Sequence, residues 1–133
     1  HYMYRKKLAS FAEQFAPAKV KFRCGVETFD TALREAWKKG IPSSVSVQDI
    51  AQHFQGICLL CCTQGETKEH ILKDIELAKA HFEYFSVNVF CDNHTPIKQD
   101  KELASWFAKV VYPMIKDDPR IEVLMENTDL GVG

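Results

Sequence analysis

Apolar and polar positions along the chain alternate between two periods. Over 19–27, Val20, Phe22, Cys24 and Val26 share one face, while Lys19, Lys21, Arg23, Gly25 and Glu27 share the other. That period of two predicts a strand. Ile57-Cys58-Leu59-Leu60-Cys61-Cys62 is apolar on both faces and bounded by Gly56 and Gly65, as a strand buried in a parallel sheet reads. A third alternation runs from Tyr84 to Cys91, with Phe85, Val87 and Val89 opposite Ser86, Asn88 and Phe90. A fourth runs from Arg120 to Glu126, with Ile121, Val123 and Met125 opposite Glu122, Leu124 and Glu126.

Between these runs the spacing becomes helical. Leu8, Phe11, Ala12 and Phe15 form one stripe of a helix over 3–16 that Pro17 stops. Asp30 is placed to cap a helix reaching Lys39, with Gly40 at its left-handed end. Ser46 and Asp49 have capping-box spacing for a short helix to Phe54. Ile71, Leu72, Ile75, Ala78 and Phe82 define a long amphipathic helix after the corner Thr63-Gln64-Gly65-Glu66-Thr67. Asp100 caps a last helix carrying Leu103, Phe107, Val110 and Val111, which Pro113 ends or kinks.

The expected order is α-β-α-α-β-α-β-α-β. Strands separated by helix-length segments run parallel through right-handed crossovers. The fold class is therefore α/β: four parallel strands alternating with helices, as a small doubly wound sheet or an arc of a partial (β/α) barrel. A doubly wound sheet needs strands apolar on both faces, and only the Ile57 strand qualifies. The polar faces of the other three favour the barrel arc, where they line the lumen. The alternative is that those strands are edges, or that their charges pair with one another.

Composition narrows the function. The chain has 133 residues, 46% of them hydrophobic, enough for one domain with its own core. A net charge of -1 argues against a nucleic-acid partner or a polybasic membrane patch. No apolar run approaches a membrane span, and no signal-peptide pattern opens the chain. Five cysteines, most of them in strands, suit reduced thiols and a cytoplasmic location. His1-Tyr2-Met3 and the stop at Gly133 suggest a fragment, with 1–133 as one structural unit.

Candidate chemistry gathers where the strands end. Glu27-Thr28, Gln64-Gly65-Glu66-Thr67, Asp92-Asn93-His94-Thr95 and Asn127-Thr128-Asp129 are four polar corners on one edge of the sheet. In parallel α/β folds that edge binds ligands, although each corner alone is ordinary loop and cap chemistry. Cys58 and Cys61 form a CxxC, but on a strand they face opposite sides and cannot grip one ion. No metal site is expected. His94 alone among the histidines lies in a strand-end loop. No nucleophilic triad, P-loop or Rossmann fingerprint is present, and the catalytic residues stay unassigned.

Phe22-Arg23-Cys24-Gly25-Val26-Glu27-Thr28-Phe29-Asp30, with Lys39-Gly40 beyond it, resembles the fourth-strand segment of radical S-adenosylmethionine (SAM) enzymes, G-(V/I)-(E/Q)-(S/T)-(F/D)…L…(K/R)-G. Cys62-Thr63-Gln64-Gly65-Glu66-Thr67 is similar to the G-L-P-G-E-T after their fifth strand, with Cys62 in place of Gly and Gln64 in place of Pro. Val87-Asn88-Val89-Phe90, Asn93 and Thr95-Pro96 resemble the sixth strand and its loop. The likeness covers Val20 to about Asn127. It implies the C-terminal half of a partial (β/α) barrel, with SAM across the strand ends beside a [4Fe-4S] cluster.

By that resemblance, Glu27 faces the SAM ribose or methionine, and Thr63, Gln64, Gly65 and Glu66 approach the adenine through backbone groups. Asn88 and Asn93 line the later part of the pocket, and Arg23 faces the SAM carboxylate or the substrate. The family's C-x-x-x-C-x-x-C cluster motif and its glycine-rich second-strand segment are absent. The cluster is therefore expected only in a full-length parent, and this chain alone is expected to be inactive. The substrate is unknown, whether small molecule or peptide, and self-association is expected through the exposed sheet edge at Lys19 to Glu27. Two rival readings stay open. One is a stand-alone α/β binding or regulatory domain. The other is a different barrel-enzyme fragment that binds a phosphorylated substrate where the helix begins, at Gly65 to Lys68.

Overall fold

The computed structural model describes residues 1–126; the corner at Asn127-Thr128-Asp129 lies outside them. Four strands, β1 (Arg23–Glu27), β2 (Gly56–Cys61), β3 (Tyr84–Val89) and β4 (Ile121–Leu124), form one sheet. All neighbours are parallel and the spatial order is β1-β2-β3-β4. Order in space equal to order in sequence is the winding of a (β/α) barrel. A doubly wound sheet reverses direction at a switch point.

The helices follow local chemistry. Asp30 accepts from Leu33 N at the start of α2 (Thr31–Ala36), and Asp100 accepts from Leu103 N at the start of α5 (Lys101–Trp106). Ser46 and Asp49 form a reciprocal capping box on α3 (Val47–Ala51). Thr67 caps α4 (Lys68–His81), which buries Ile71, Ile75 and Ala78 against the sheet. Pro113 does not stop the last helix. Ahead of it the chain widens into a π turn, Phe107–Val111, then continues as α6 (Tyr112–Ile115). The wider turn is how a helix passes a residue with no N–H to give.

The first helical segment departs from its periodicity. It is a 3-10 helix (Tyr2–Lys7) followed by α1 (Leu8–Glu13). Phe11 and Phe15 are about half exposed and lie against each other, and Phe11 also lies against Phe22. Tyr2 is the ring that enters the core instead, beside Phe54. The strands are also shorter than their alternations. Polar groups at the run ends serve loops rather than ladders: Phe22 N, for example, bonds the Gln55 side chain.

One face of the sheet is the core. Cys24 and Val26, Ile57, Leu59 and Cys61, Phe85, Val87 and Val89, and Ile121 are buried there beneath the helices. The opposite face is concave. Arg23 of β1 reaches Glu122 of β4 at 3.2 Å. Three strand spacings would separate them by roughly 14 Å in a flat sheet. The pairing shows charges on that face joining across the whole sheet, and the barrel reading rests on the strand order.

Candidate functional site

Register divides the concave face into rows. The amino-end row is Arg23, Gly56 and Tyr84, and the next is Gly25, Cys58, Ser86 and Glu122. Above them stand Leu60, Asn88 and Leu124. The lowest row is closed. Gly56 lets the Tyr84 ring lie directly on β2, since a Cβ there would sit 2.4 Å from the ring. The Arg23 guanidinium covers that ring at 5.1 Å, and Lys21 pairs with Glu83 beside it. Arg23 thus sits at the amino end, bound to Glu122, and does not converge with the strand-end residues.

At the carboxyl end the backbone is bent to purpose. The β1–β2 register slips between Gly25 and Glu27, and Glu27 takes a left-handed φ of 71°. Non-glycine residues adopt that conformation at a cost of about 1–3 kcal/mol and only where surroundings impose it. The Glu27 Oε1 lies 3.3 Å from where a Gly25 Cβ would stand, so the glycine leaves room for the carboxylate. Lys39 Nζ is 3.0 Å from that same oxygen.

Thr28 and Phe29 turn inward. Asp74 of α4 accepts from Phe29 N at 3.0 Å, and the Thr28 side chain nearby favours its charged form. Burial raises the Asp74 pKa, which those hydrogen bonds only partly offset. An acid on the buried stripe of α4, beside Ile71, Ile75 and Ala78, is the sequence signal that could have found this anchor.

The second corner is built around Cys62 (φ 67°) and Gly65 (φ 89°). Thr63 is fully buried, and its N–H and hydroxyl both donate to Glu66 Oε2, at 2.9 and 3.2 Å. Glu66 is therefore an internal clamp. Burial lifts its pKa from 4.5 to about 7, and its other oxygen is buried with no partner among the described residues. Thr63-x-x-Glu66 is the spacing of a capping box, a pattern that would have predicted the fold-back. Gln64 donates its N–H to Lys98 O, and Asp100 N donates to Cys62 O, so the loop after β3 braces the corner. A side chain added at Gly65 would meet nothing within 4 Å, which leaves the backbone open to a ligand.

The third corner is less convergent. Asn88 stands on the concave face with its Oδ1 buried and unpartnered among the described residues. Asn93 spends its side chain locally, accepting from Thr95 N and Oγ1 in an exposed turn that also holds His94. The structure thus gathers Glu27, the Thr63–Glu66 corner and Asn88 at one edge, and leaves Arg23 and Asn93 outside it. Among the described residues no three His, Cys, Asp or Glu side chains are grouped to hold a metal. No helix among them is long and apolar enough to cross a membrane.

An arc of parallel strands in sequence order, with spare polar groups at its carboxyl edge, defines a segment of a (β/α) barrel. No family model matches the chain, and no curated protein does. Among solved structures, a queuine lyase from Clostridium spiroforme bound to SAM and queuine matches it with a TM-score of 0.89 and 34% identity. The match covers 100% of this chain and 57% of that one, so the chain spans little more than half the length of the lyase. The resemblance drawn from the motifs therefore holds: the chain is of the radical SAM type and has the fold of part of such a barrel.

Proposed function

We propose that this chain forms the adenine and ribose side of a SAM pocket, and part of the substrate wall, of a radical SAM enzyme. The observation that carries the reading is the convergence of Glu27, the open Gly65 corner and the unpartnered Asn88 amide on one edge. The whole-chain likeness to a SAM-bound lyase supports it. Glu27 offers a carboxylate to ribose hydroxyls, the corner offers main-chain groups to adenine, and Asn88 completes the far wall. Bound SAM, beside a [4Fe-4S] cluster in the parent enzyme, would supply radical chemistry. The described residues do not fit the cluster, so the work assigned to this chain is binding alone. Queuine, the second molecule on the lyase, is the first substrate to try.

Calorimetric titration of the chain with SAM and, separately, inorganic phosphate tests the reading. SAM should bind with a Kd of about 0.1–1 mM, some 4–6 kcal/mol, since this wall is one side of a pocket. Phosphate at the Gly65–Lys68 helix start in place of SAM would transfer the site to a phosphorylated ligand. Binding of neither would favour a stand-alone regulatory domain, a reading that the internal Arg23–Glu122 pairing would suit. We also propose self-association across β1. Its outer edge has no strand partner among the described residues, and sedimentation should show a dimer growing with concentration.

A further inference from the structure

We infer that Lys39 is a positioning residue: it holds one oxygen of the Glu27 carboxylate so that the other stays aimed at the ligand. The inference rests on the assignment of Glu27 to the SAM pocket. Three features converge on this side chain. The register slip and left-handed φ of 71° swing Glu27 off the regular ladder. The missing side chain of Gly25 makes room for Oε1. Neither feature fixes where the carboxylate points, because a glutamate has three rotatable bonds and the pocket edge is open to water.

Lys39 supplies that constraint. Its Nζ lies 3.0 Å from Oε1, and the two side chains are 31% and 16% exposed, so the pair is partly shielded from solvent. The ion pair with Lys39 is made through Oε1 and leaves Oε2 outside it. Lys39 reaches the strand from the segment after α2, where its N–H donates to Arg34 O at 3.2 Å and Gly40 follows at a φ of 66°. The lysine thus comes from a braced turn rather than a free tail. Lys39 also lines, with Arg34, Glu35 and Lys38, a cavity of about 430 Å³ whose lining does not include Glu27. Of these cations, Lys39 is the one paired with a carboxylate within 4 Å among the described residues. A carboxylate already neutralised at one oxygen suits hydroxyl donors better than a further cation, whose charge Lys39 would oppose.

The test is a double-mutant cycle on SAM affinity with Glu27→Gln, Lys39→Gln and their combination, plus Lys39→Arg as the rescue. Glu27→Gln and Lys39→Gln should each weaken SAM binding about tenfold, the scale of one charge-assisted hydrogen bond. The double variant should be no weaker than Glu27→Gln alone, because Lys39 acts only through Glu27. Lys39→Arg should recover most of the affinity, and thermal unfolding should stay within a few degrees for all four. If Lys39→Gln unfolds, Lys39→Met, which keeps the apolar stem, takes its place in the cycle. Should Glu27→Gln leave SAM binding unchanged, the SAM-pocket assignment fails and the inference with it. Weakening by Glu27→Gln without weakening by Lys39→Gln overturns the inference alone. Additive losses, or no rescue by arginine, overturn it as well, since both mean that Lys39 acts by another route.

Discussion

The two ends of the concave sheet face are built on opposite principles. At the amino end the strand charges are spent on one another. Arg23 binds Glu122 and covers Tyr84, Lys21 binds Glu83, and Gly56 lets the ring lie flat. At the carboxyl end the backbone is forced and bonding capacity is left over. Glu27, Cys62 and Gly65 are left-handed, while Glu66 Oε1 and Asn88 Oδ1 are buried without partners among the described residues. Closed geometry stabilises; unspent hydrogen-bonding capacity invites a ligand. The contrast is the physical ground for proposing a ligand site at the carboxyl end.

The largest expected effect that would sharpen this contrast is the pH dependence of the Glu66 clamp. Burial raises its folded pKa to about 7 from an ordinary 4.5. The folded state therefore keeps its proton after the unfolded chain has lost it. The resulting stability is fully present below about pH 4.5 and is lost as pH rises towards 7, by up to ~3 kcal/mol. Urea unfolding at pH 5 and pH 8 should show the wild type weakening more than Glu66→Gln does. Equal slopes in the two proteins would break the assignment of the clamp. Asp74, raised by the same cause, contributes in the same direction to both.

Glycines at the two ends should differ next. Gly56→Ala places a methyl 2.4 Å from the Tyr84 ring and should cost about 2 kcal/mol, as overpacking does. Gly65→Ala meets no atom within 4 Å and should cost only about 1 kcal/mol, for the left-handed backbone. It should nevertheless impair SAM binding more than Gly56→Ala does. If Gly56→Ala proved the more damaging to SAM binding, the division between a closed and a receptive end would not hold.

The smallest effect belongs to the Arg23–Glu122 pair at the closed end. Arg23 and Glu122 are 39% and 55% exposed, so Glu122→Gln should cost under about 1 kcal/mol in denaturant unfolding, as surface pairs do. A loss well above that would mean the pair clamps the curvature of the arc rather than only decorating it.

Local patterns carried much of this in advance. Strand alternation, the caps Asp30, Ser46 and Asp100, and the parallel order all depend on near neighbours. So did the gathering of polar corners, because helix-length connections force every strand to end on the same edge. Thr63-x-x-Glu66 and the Asn93–Thr95 turn are contacts within three residues as well, but the expectations for those residues did not include them.

What only the tertiary structure decided is which polar groups are spent. Arg23 meets Glu122 across 99 positions, Lys21 meets Glu83 across 62, and Phe29 N meets Asp74 across 45. Such pairings depend on sheet curvature and on how the helices stack, and no periodicity encodes them. The same holds for Lys39 and Glu27, which a register slip and a turned helix end bring within 3.0 Å. Sequence by itself determined the strands, their direction and the edge where polar residues collect. The curvature then decided which of those residues neutralise one another and which remain free to bind, because electrostatic partnership is set by distance in space, not by distance along the chain.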